Sequence, residues 1–132
     1  MLNLLSNRKK LLSNREKLGR WGEKKAEKAL LKKGLKTLTR NYSCKTGEID
    51  LVMVDRDSII VFIEVKTRTS ELLAPAESAV TPQKKQKSLR TARYFLKTYN
   101  LESRPCRFDV VTTLLTKKGP PTIKHYENAF SP

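Results

Sequence analysis

The chain has 132 residues, 38% hydrophobic and 31% charged, with 28 Lys plus Arg against 13 Asp plus Glu and a net charge of +15. That balance supports one domain with a core and excludes a disordered tail. Such an excess repels itself in the compact state, so it points to an anionic partner, above all nucleic-acid phosphate, with acidic lipid surfaces and acidic proteins as competitors.

The apolar start, Met1 to Leu5, is cut short by Arg8, Lys9 and Lys10. No run approaches the roughly 18 apolar residues of a membrane span, and no secretory cleavage pattern follows. The expectation is a cytoplasmic protein with no membrane partner. Cys44 and Cys106 lie far apart and His125 is the only histidine, too few ligands for a Cys/His zinc site. A His-activated nucleophile would rest on His125 alone. Neither a phosphate-binding G-x-x-x-x-G-K-S/T loop nor a dinucleotide G-x-G-x-x-G is present.

Residues 4–17 hold a tandem heptapeptide, Leu4-Leu5-Ser6-Asn7-Arg8-Lys9-Lys10 followed by Leu11-Leu12-Ser13-Asn14-Arg15-Glu16-Lys17. It reads as a basic extension, residues 1–18, that continues the first helix or frays, in preference to a dimerisation element. The first helix should run from about Glu16 to Lys33 and stop at Gly34. Glu23 shares its face with Ala26 and Leu30, an unusual place for a carboxylate. A strand is expected from Leu35 to Tyr42. Apolar runs Ile49–Val54 and Ile59–Val65 flank the polar turn Asp55-Arg56-Asp57-Ser58 and predict a hairpin. The second run is apolar on both faces, as a central strand is. Ser70 to Ser78, with Pro75, reads as a loop. Thr81-Pro82 opens a second helix with Leu89, Ala92, Leu96 and Tyr99 as its buried stripe and an end near Asn100. Cys106–Thr113 is a further strand, and Ile123–Tyr126 pairs back as an edge. The expected fold is α/β: a mixed central sheet with helices on both faces, spanning residues 19–132.

Strand alternation puts Glu64 and Lys66 on one face. A hairpin with a three-residue loop, Arg56 to Ser58, sets Asp50 opposite Glu64. Two carboxylates and an ammonium would then meet at one end of the sheet. Close carboxylates repel, and burial adds to the cost. A hard divalent cation, Mg²⁺ or Mn²⁺, resolves both, with water and substrate phosphate completing its shell. Lys66 would stand beside the nucleophile and the phosphate. The competing reading is a buried ion pair in which Lys66 neutralises Asp50 or Glu64. The E-x-K triplet alone carries nothing, since Glu23-Lys24-Lys25 repeats it inside a helix.

Asp50 with Glu64-Val65-Lys66 resembles the PD-(D/E)-x-K core of restriction-endonuclease-like nucleases, which include Holliday-junction resolvases. Gly19-Arg20-Trp21-Gly22-Glu23, Arg40-Asn41-Tyr42, Gly47 to Val52, Val61 to Arg68, Ala79-Val80-Thr81 with Lys84, Cys106 to Val111 and Asn128-Ala129-Phe130 together resemble the YraN-like family of small predicted endonucleases. The likeness implies a restriction-endonuclease-like sheet, metal-binding Asp50 and Glu64, a catalytic Lys66, an assisting acid Glu23 and a cleft-facing base Lys84. The family pattern begins Pro-Asp, where this chain has Ile49-Asp50. It further implies metal-dependent cleavage of DNA, with branched DNA and a homodimer as the analogy with resolvases.

Arg68, Lys84, Lys85 and Lys87 are the candidate phosphate contacts. The three lysines oppose the helix dipole where they stand, which favours a phosphate partner for them. Asp109 is expected to pair with Arg107 or Arg40. Trp21 and Tyr42 are assigned to core packing ahead of base stacking. The alternatives from other classes are a nuclease-like fold that binds nucleic acid without cutting it, and a basic structural or ribosome-associated protein.

Overall fold

The computed structural model describes residues 2–69 and 81–130. In chain order the elements are α1 (Leu2–Ser13), α2 (Arg15–Lys32), β1 (Lys36–Cys44), β2 (Gly47–Val54), β3 (Ile60–Arg68), α3 (Pro82–Thr98), β4 (Cys106–Leu114) and β5 (Thr122–Phe130). The loop predicted for Ser70–Ser78, and Ala79-Val80 after it, lie outside the described residues. No helix among the described residues is long and apolar enough to cross a membrane.

The heptapeptide repeat does not repeat as structure, which corrects the expectation that it continues the first helix or frays. Asn7 lies within α1, whereas its counterpart Asn14 is extended and caps α2, its side chain accepting from Lys17 N–H at 3.1 Å. A side-chain acceptor at that position satisfies a donor that would otherwise be orphaned at the helix start. Arg8 ties α1 to the β4–β5 loop, donating to the Gly119 carbonyl at 2.9 Å. At the other end of α2, Gly34 takes φ +97°, and the Leu35 and Gly34 N–H groups return to the carbonyls of Leu30 and Leu31. That pairing closes the helix in the way its left-handed glycine allows.

The sheet order is β1-β2-β3-β4-β5, with β3 and β4 parallel and the other neighbours antiparallel. The parallel pair requires a crossover, which α3 supplies. The three-residue hairpin loop forms as expected. Asp55 N–H bonds Ile59 O at 3.0 Å, Ser58 takes φ +64°, and Asp55 Oδ1 accepts from the N–H groups of Asp57 and Ile59.

Helices cover both faces of β3, as its apolar sequence required. Ile60 and Phe62 pack with Val52, Phe108 and Val110 against Ala92, Phe95 and Leu96 of α3. Val61 and Ile63 pack with Leu51, Met53 and Val111 against Ala26 and Leu30 of α2. The α3 stripe needs one correction. Thr91, Ala92, Phe95 and Leu96 are buried, while Tyr99 is 57% exposed at the C-cap. Phe95 displaces it by reaching between Tyr42 and Phe62, edge-on at 5.1 and 5.8 Å. Tyr42 therefore packs on the core, as expected of it.

Gly22 sets how closely α2 approaches the sheet. A Cβ there would collide with Thr67 Oγ1 and stand 2.7 Å from Thr113 Oγ1, two hydroxyls already bonded to each other. Gly19, one turn earlier, would meet nothing within 4 Å. Urea denaturation should therefore separate the two. Gly22→Ala should cost about 1–3 kcal/mol by overpacking, whereas Gly19→Ala should stabilise by about 0.5–1 kcal/mol through helix propensity alone.

Candidate functional site

The β2–β3 ladder runs only from Val54↔Ile60 to Leu51↔Ile63, although both strands continue past it. β3 stays paired to β4 as far as Arg68↔Leu114. The register is the one that sets Asp50 against Glu64, and the strands part at that level. The opening leaves the Val65 N–H without a ladder partner, and Asp50 Oδ2 accepts from it at 2.8 Å. A buried donor left open would cost about 1–3 kcal/mol, so this bond fixes the Asp50 carboxylate in the gap.

Glu64 and Lys66 continue the face of β3 that carries Ile60 and Phe62 under α3. Lys66 Nζ lies 2.7 Å from Glu64 Oε1, with its side chain only 13% exposed. Asp50, Glu64, Glu48 and Ser88 open together into a cavity of about 180 Å³ floored by Phe62 and Phe108. No sequence pattern singles out Glu48 or Ser88: Glu48 precedes Asp50 by two residues on β2, and only the approach of α3 to the gap brings Ser88 there.

Burial pushes the Asp50 carboxyl up to about 6, against the Val65 hydrogen bond and the Lys66 charge that favour ionisation, and the charges of Glu23 and Glu64 add to the rise. Glu23 is thus within electrostatic reach of Asp50, although it opens into a different groove. That groove, of about 720 Å³, runs between the α1–α2 junction and the end of β3, and Glu23, Arg15, Val65 and Arg68 line it. Val65 is the partition: its side chain faces the groove while its N–H binds Asp50. Lys84 and Lys87 are exposed, and Lys85 lies over the Phe130 ring at 5.7 Å, on the rim of the Asp50 cavity.

Among the described residues, no three His, Cys, Asp or Glu side chains form a ready metal cage. Glu48, Asp50, Glu64 and Asp109 line the cavity. Asp109 is committed to Arg107, His125 and Asn128, which leaves Asp50 and Glu64, with Glu48 beside them, as the oxygen donors. This set fits a hard cation, which needs few protein oxygens and fills its shell from water and phosphate.

Asp109 has a different environment. Its carboxylate is 1% exposed and accepts from Arg107 Nε at 3.1 Å and the Asn128 N–H at 2.9 Å, with His125 Nε2 at 2.7 Å. Burial raises its proton affinity, but the His125, Arg107 and Asn128 hydrogen bonds outweigh that and hold it below the usual range. Arg107, one of the two expected partners, is the one used; Arg40 pairs with Glu27.

A family model described as "Uncharacterised protein family UPF0102" matches residues 22–113. The chain belongs to UPF0102. The UPF0102 protein of Pelotomaculum thermopropionicum is 41% identical over 88% of this chain and 97% of its own length. That of Syntrophomonas wolfei is 44% identical over 89% and 99%. Among solved structures, a repair endonuclease from Pyrococcus abyssi is 26% identical with a TM-score of 0.37, over 63% of this chain and 31% of that one. The EndoMS–dsDNA2 complex gives 24% identity and a TM-score of 0.31, over 57% and 26%. The UPF0102 match covers both strands of the parted hairpin and the whole of α3.

Two expected outcomes separate the acids. In metal-free buffer the Asp50 carboxyl binds its proton more tightly folded, at about 6, than unfolded, at 3.8. Wild-type stability should therefore fall as pH rises through that window, by up to about 3 kcal/mol. Asp50→Asn should remove the fall and exceed wild type at pH 7 in urea titrations. Asp109→Ala should instead lose about 3–5 kcal/mol at pH 7, because it leaves the Asn128 N–H and His125 without their acceptor and leaves Arg107 only Asp55 as a close partner.

Proposed function

We propose that this UPF0102 protein is a divalent-metal-dependent endonuclease that cleaves DNA phosphodiester bonds. The observation that supports it best is the partly buried Asp50 carboxylate, held by Val65 N–H where β2 and β3 part and facing the Glu64–Lys66 pair. A buried, repelled acid beside a second acid and an ammonium is costly to a fold and useful to a site.

In this reading Asp50 and Glu64 hold Mg²⁺ or Mn²⁺. The cation supplies, when bound, an acidified water and charge against the phosphate oxygens. Lys66, aligned by Glu64, places an ammonium against the charge that grows on the attacked phosphate. Glu23 adds negative charge from across β3 and raises the proton affinity of Asp50. Phe62 and Phe108 give the cavity an apolar wall beside its carboxylates. Lys84, Lys85, Lys87 and Arg68 hold backbone phosphate around the scissile bond. The net charge of +15 supports a nucleic-acid partner. The resemblance of the Asp50 and Glu64-Val65-Lys66 segments to resolvase cores favours branched DNA as substrate.

One observation favours a second reading, binding without cleavage: Lys66 and Glu64 already neutralise each other at 2.7 Å. A cleavage assay on labelled duplex, single strand, flap and four-way junction, with Mg²⁺, Mn²⁺ or EDTA, decides between them. The nuclease reading expects metal-dependent cutting that falls by at least about 100-fold in Lys66→Ala and in Asp50→Asn, both still binding DNA. It also expects Mg²⁺ or Mn²⁺ to raise the wild-type melting temperature and leave Asp50→Asn unmoved. Binding by wild type with no cutting of any substrate would transfer the site to the second reading.

A further inference from the structure

Helix α3 carries Lys84, Lys85, Lys87, Arg90, Arg93 and Lys97 and not one Asp or Glu. Helix α2, of similar length, intersperses Glu16, Glu23 and Glu27 among its cations. At 100° per residue the α3 cations divide into two groups. Lys84 and Lys85 belong to the inner side, where the first turn overhangs the cavity rim. Lys87, Arg90, Arg93 and Lys97 lie with Tyr94 on the outer side, opposite Ala92, Phe95 and Leu96. All five are exposed, Tyr94 by 55%.

That outer side is disfavoured within the protein itself. Lys87–Arg90, Arg90–Arg93 and Arg93–Lys97 are like-charged neighbours at helical spacing, each costing about 0.2–0.5 kcal/mol. Among the described residues no α3 cation joins an ion pair. The ridge also points somewhere definite. Its N-terminal end adjoins the candidate site: Ser88, next to Lys87 but turned inward, lines the cavity with Asp50 and Glu64, and Lys85 lies over Phe130 at the cavity rim, so a backbone held on the ridge meets the site at the first turn of α3. From Lys87 to Lys97 the ridge is about 15 Å long, the length of roughly four base-pair steps.

We propose that Lys87, Arg90, Arg93, Tyr94 and Lys97 form a track for the phosphate backbone of a DNA duplex, leading away from the Asp50–Glu64 cavity along α3. This inference rests on the nuclease reading for the occupant of the cavity, but its content is separate: the duplex lies along α3 and not along α2. The arginines and lysines neutralise successive phosphates, and the Tyr94 hydroxyl donates to one of their oxygens. Nothing on the ridge reads base edges, so binding there is independent of sequence.

The test uses the full chain and a fluorescein-labelled 24-base-pair duplex, with EDTA present so that no cutting occurs. Binding is measured across a salt series. The triple variant Arg90→Gln, Arg93→Gln, Lys97→Gln is expected to bind at least about tenfold more weakly at 0.15 M salt. Its slope of log affinity against log salt should be shallower by about 3. The control removes three charges from exposed positions of α2, Lys24→Gln, Lys28→Gln and Lys32→Gln. It is expected to change the slope by less than about 1. Circular dichroism should show both variants folded, because relieving like-charge contacts does not weaken a helix. Equal losses in the two triples would overturn the proposal, as would an unchanged slope in the α3 triple or no duplex binding by wild type. The two readings fail separately. Wild type that binds along α3 but never cuts would sink the nuclease alone; cutting that persists with an unaltered α3 slope would sink the track alone.

Discussion

Everything at the candidate site depends on one unmade rung. Beyond Leu51↔Ile63, β2 leaves β3, while β3 remains paired to β4 on its other edge. A strand that loses a neighbour exposes donors and acceptors that must be satisfied. Here a side-chain carboxylate, Asp50, takes the place of a backbone carbonyl and receives the Val65 N–H. The same bond does two things. It closes the hydrogen-bonding deficit at the opening, and it holds a partly buried acid at the level of Glu64. The site is thus a consequence of how the sheet ends, with no added loop required among the described residues.

The chain uses the same residue type in opposite ways at Asp50 and Asp109. Asp109 is the more completely buried, yet three donors surround it and its proton affinity drops. Asp50 has one donor and two acidic neighbours, and its proton affinity rises. Burial is common to both, so the donor count and the sign of nearby charge decide the outcome. Asp109 with Arg107, His125 and Asn128 fastens β4 to β5 and, through Arg107 and Asp55, to the β2–β3 loop. That network stiffens the closed part of the sheet. Asp50 stands where the sheet opens, and its unfavourable ionisation is the kind of cost that a bound cation removes.

Helix placement then decides what surrounds the opening. Gly22 permits α2 to rest on the Thr67–Thr113 hydroxyl pair, which brings Glu23 to the side of Val65 away from Asp50. α3 covers the other face through Phe95 and carries an uninterrupted positive charge to the cavity rim. An acidic centre with a basic approach can accept an anionic polymer and still concentrate a divalent cation. The excess of cations over the whole chain therefore has a local organisation that its total does not express.

Much of this was legible in the sequence because it depends on neighbours along the chain. Two-sided apolarity marked β3 as central, the length of the Arg56–Ser58 loop fixed the register, and alternation set Glu64 and Lys66 on one face. Gly34 and the Thr81-Pro82 pair marked helix ends for reasons that are entirely local. Three features depended on contacts between distant segments. The first copy of the heptapeptide lies in a helix of its own, tied by Arg8 to the Gly119 carbonyl of the β4–β5 loop, while Asn14 of the second copy caps α2. Tyr99 yields its buried position to Phe95 because Tyr42 and Phe62 arrive from other strands. Ser88 joins Asp50 at the cavity only because α3 crosses the parted strands. Periodicity and spacing determine which face a residue takes and which residue it opposes. That β2 leaves β3 beyond Leu51↔Ile63 while β3 stays paired to β4 belongs to the assembled sheet, because pairing joins segments that are separate in the chain and no local pattern contains it.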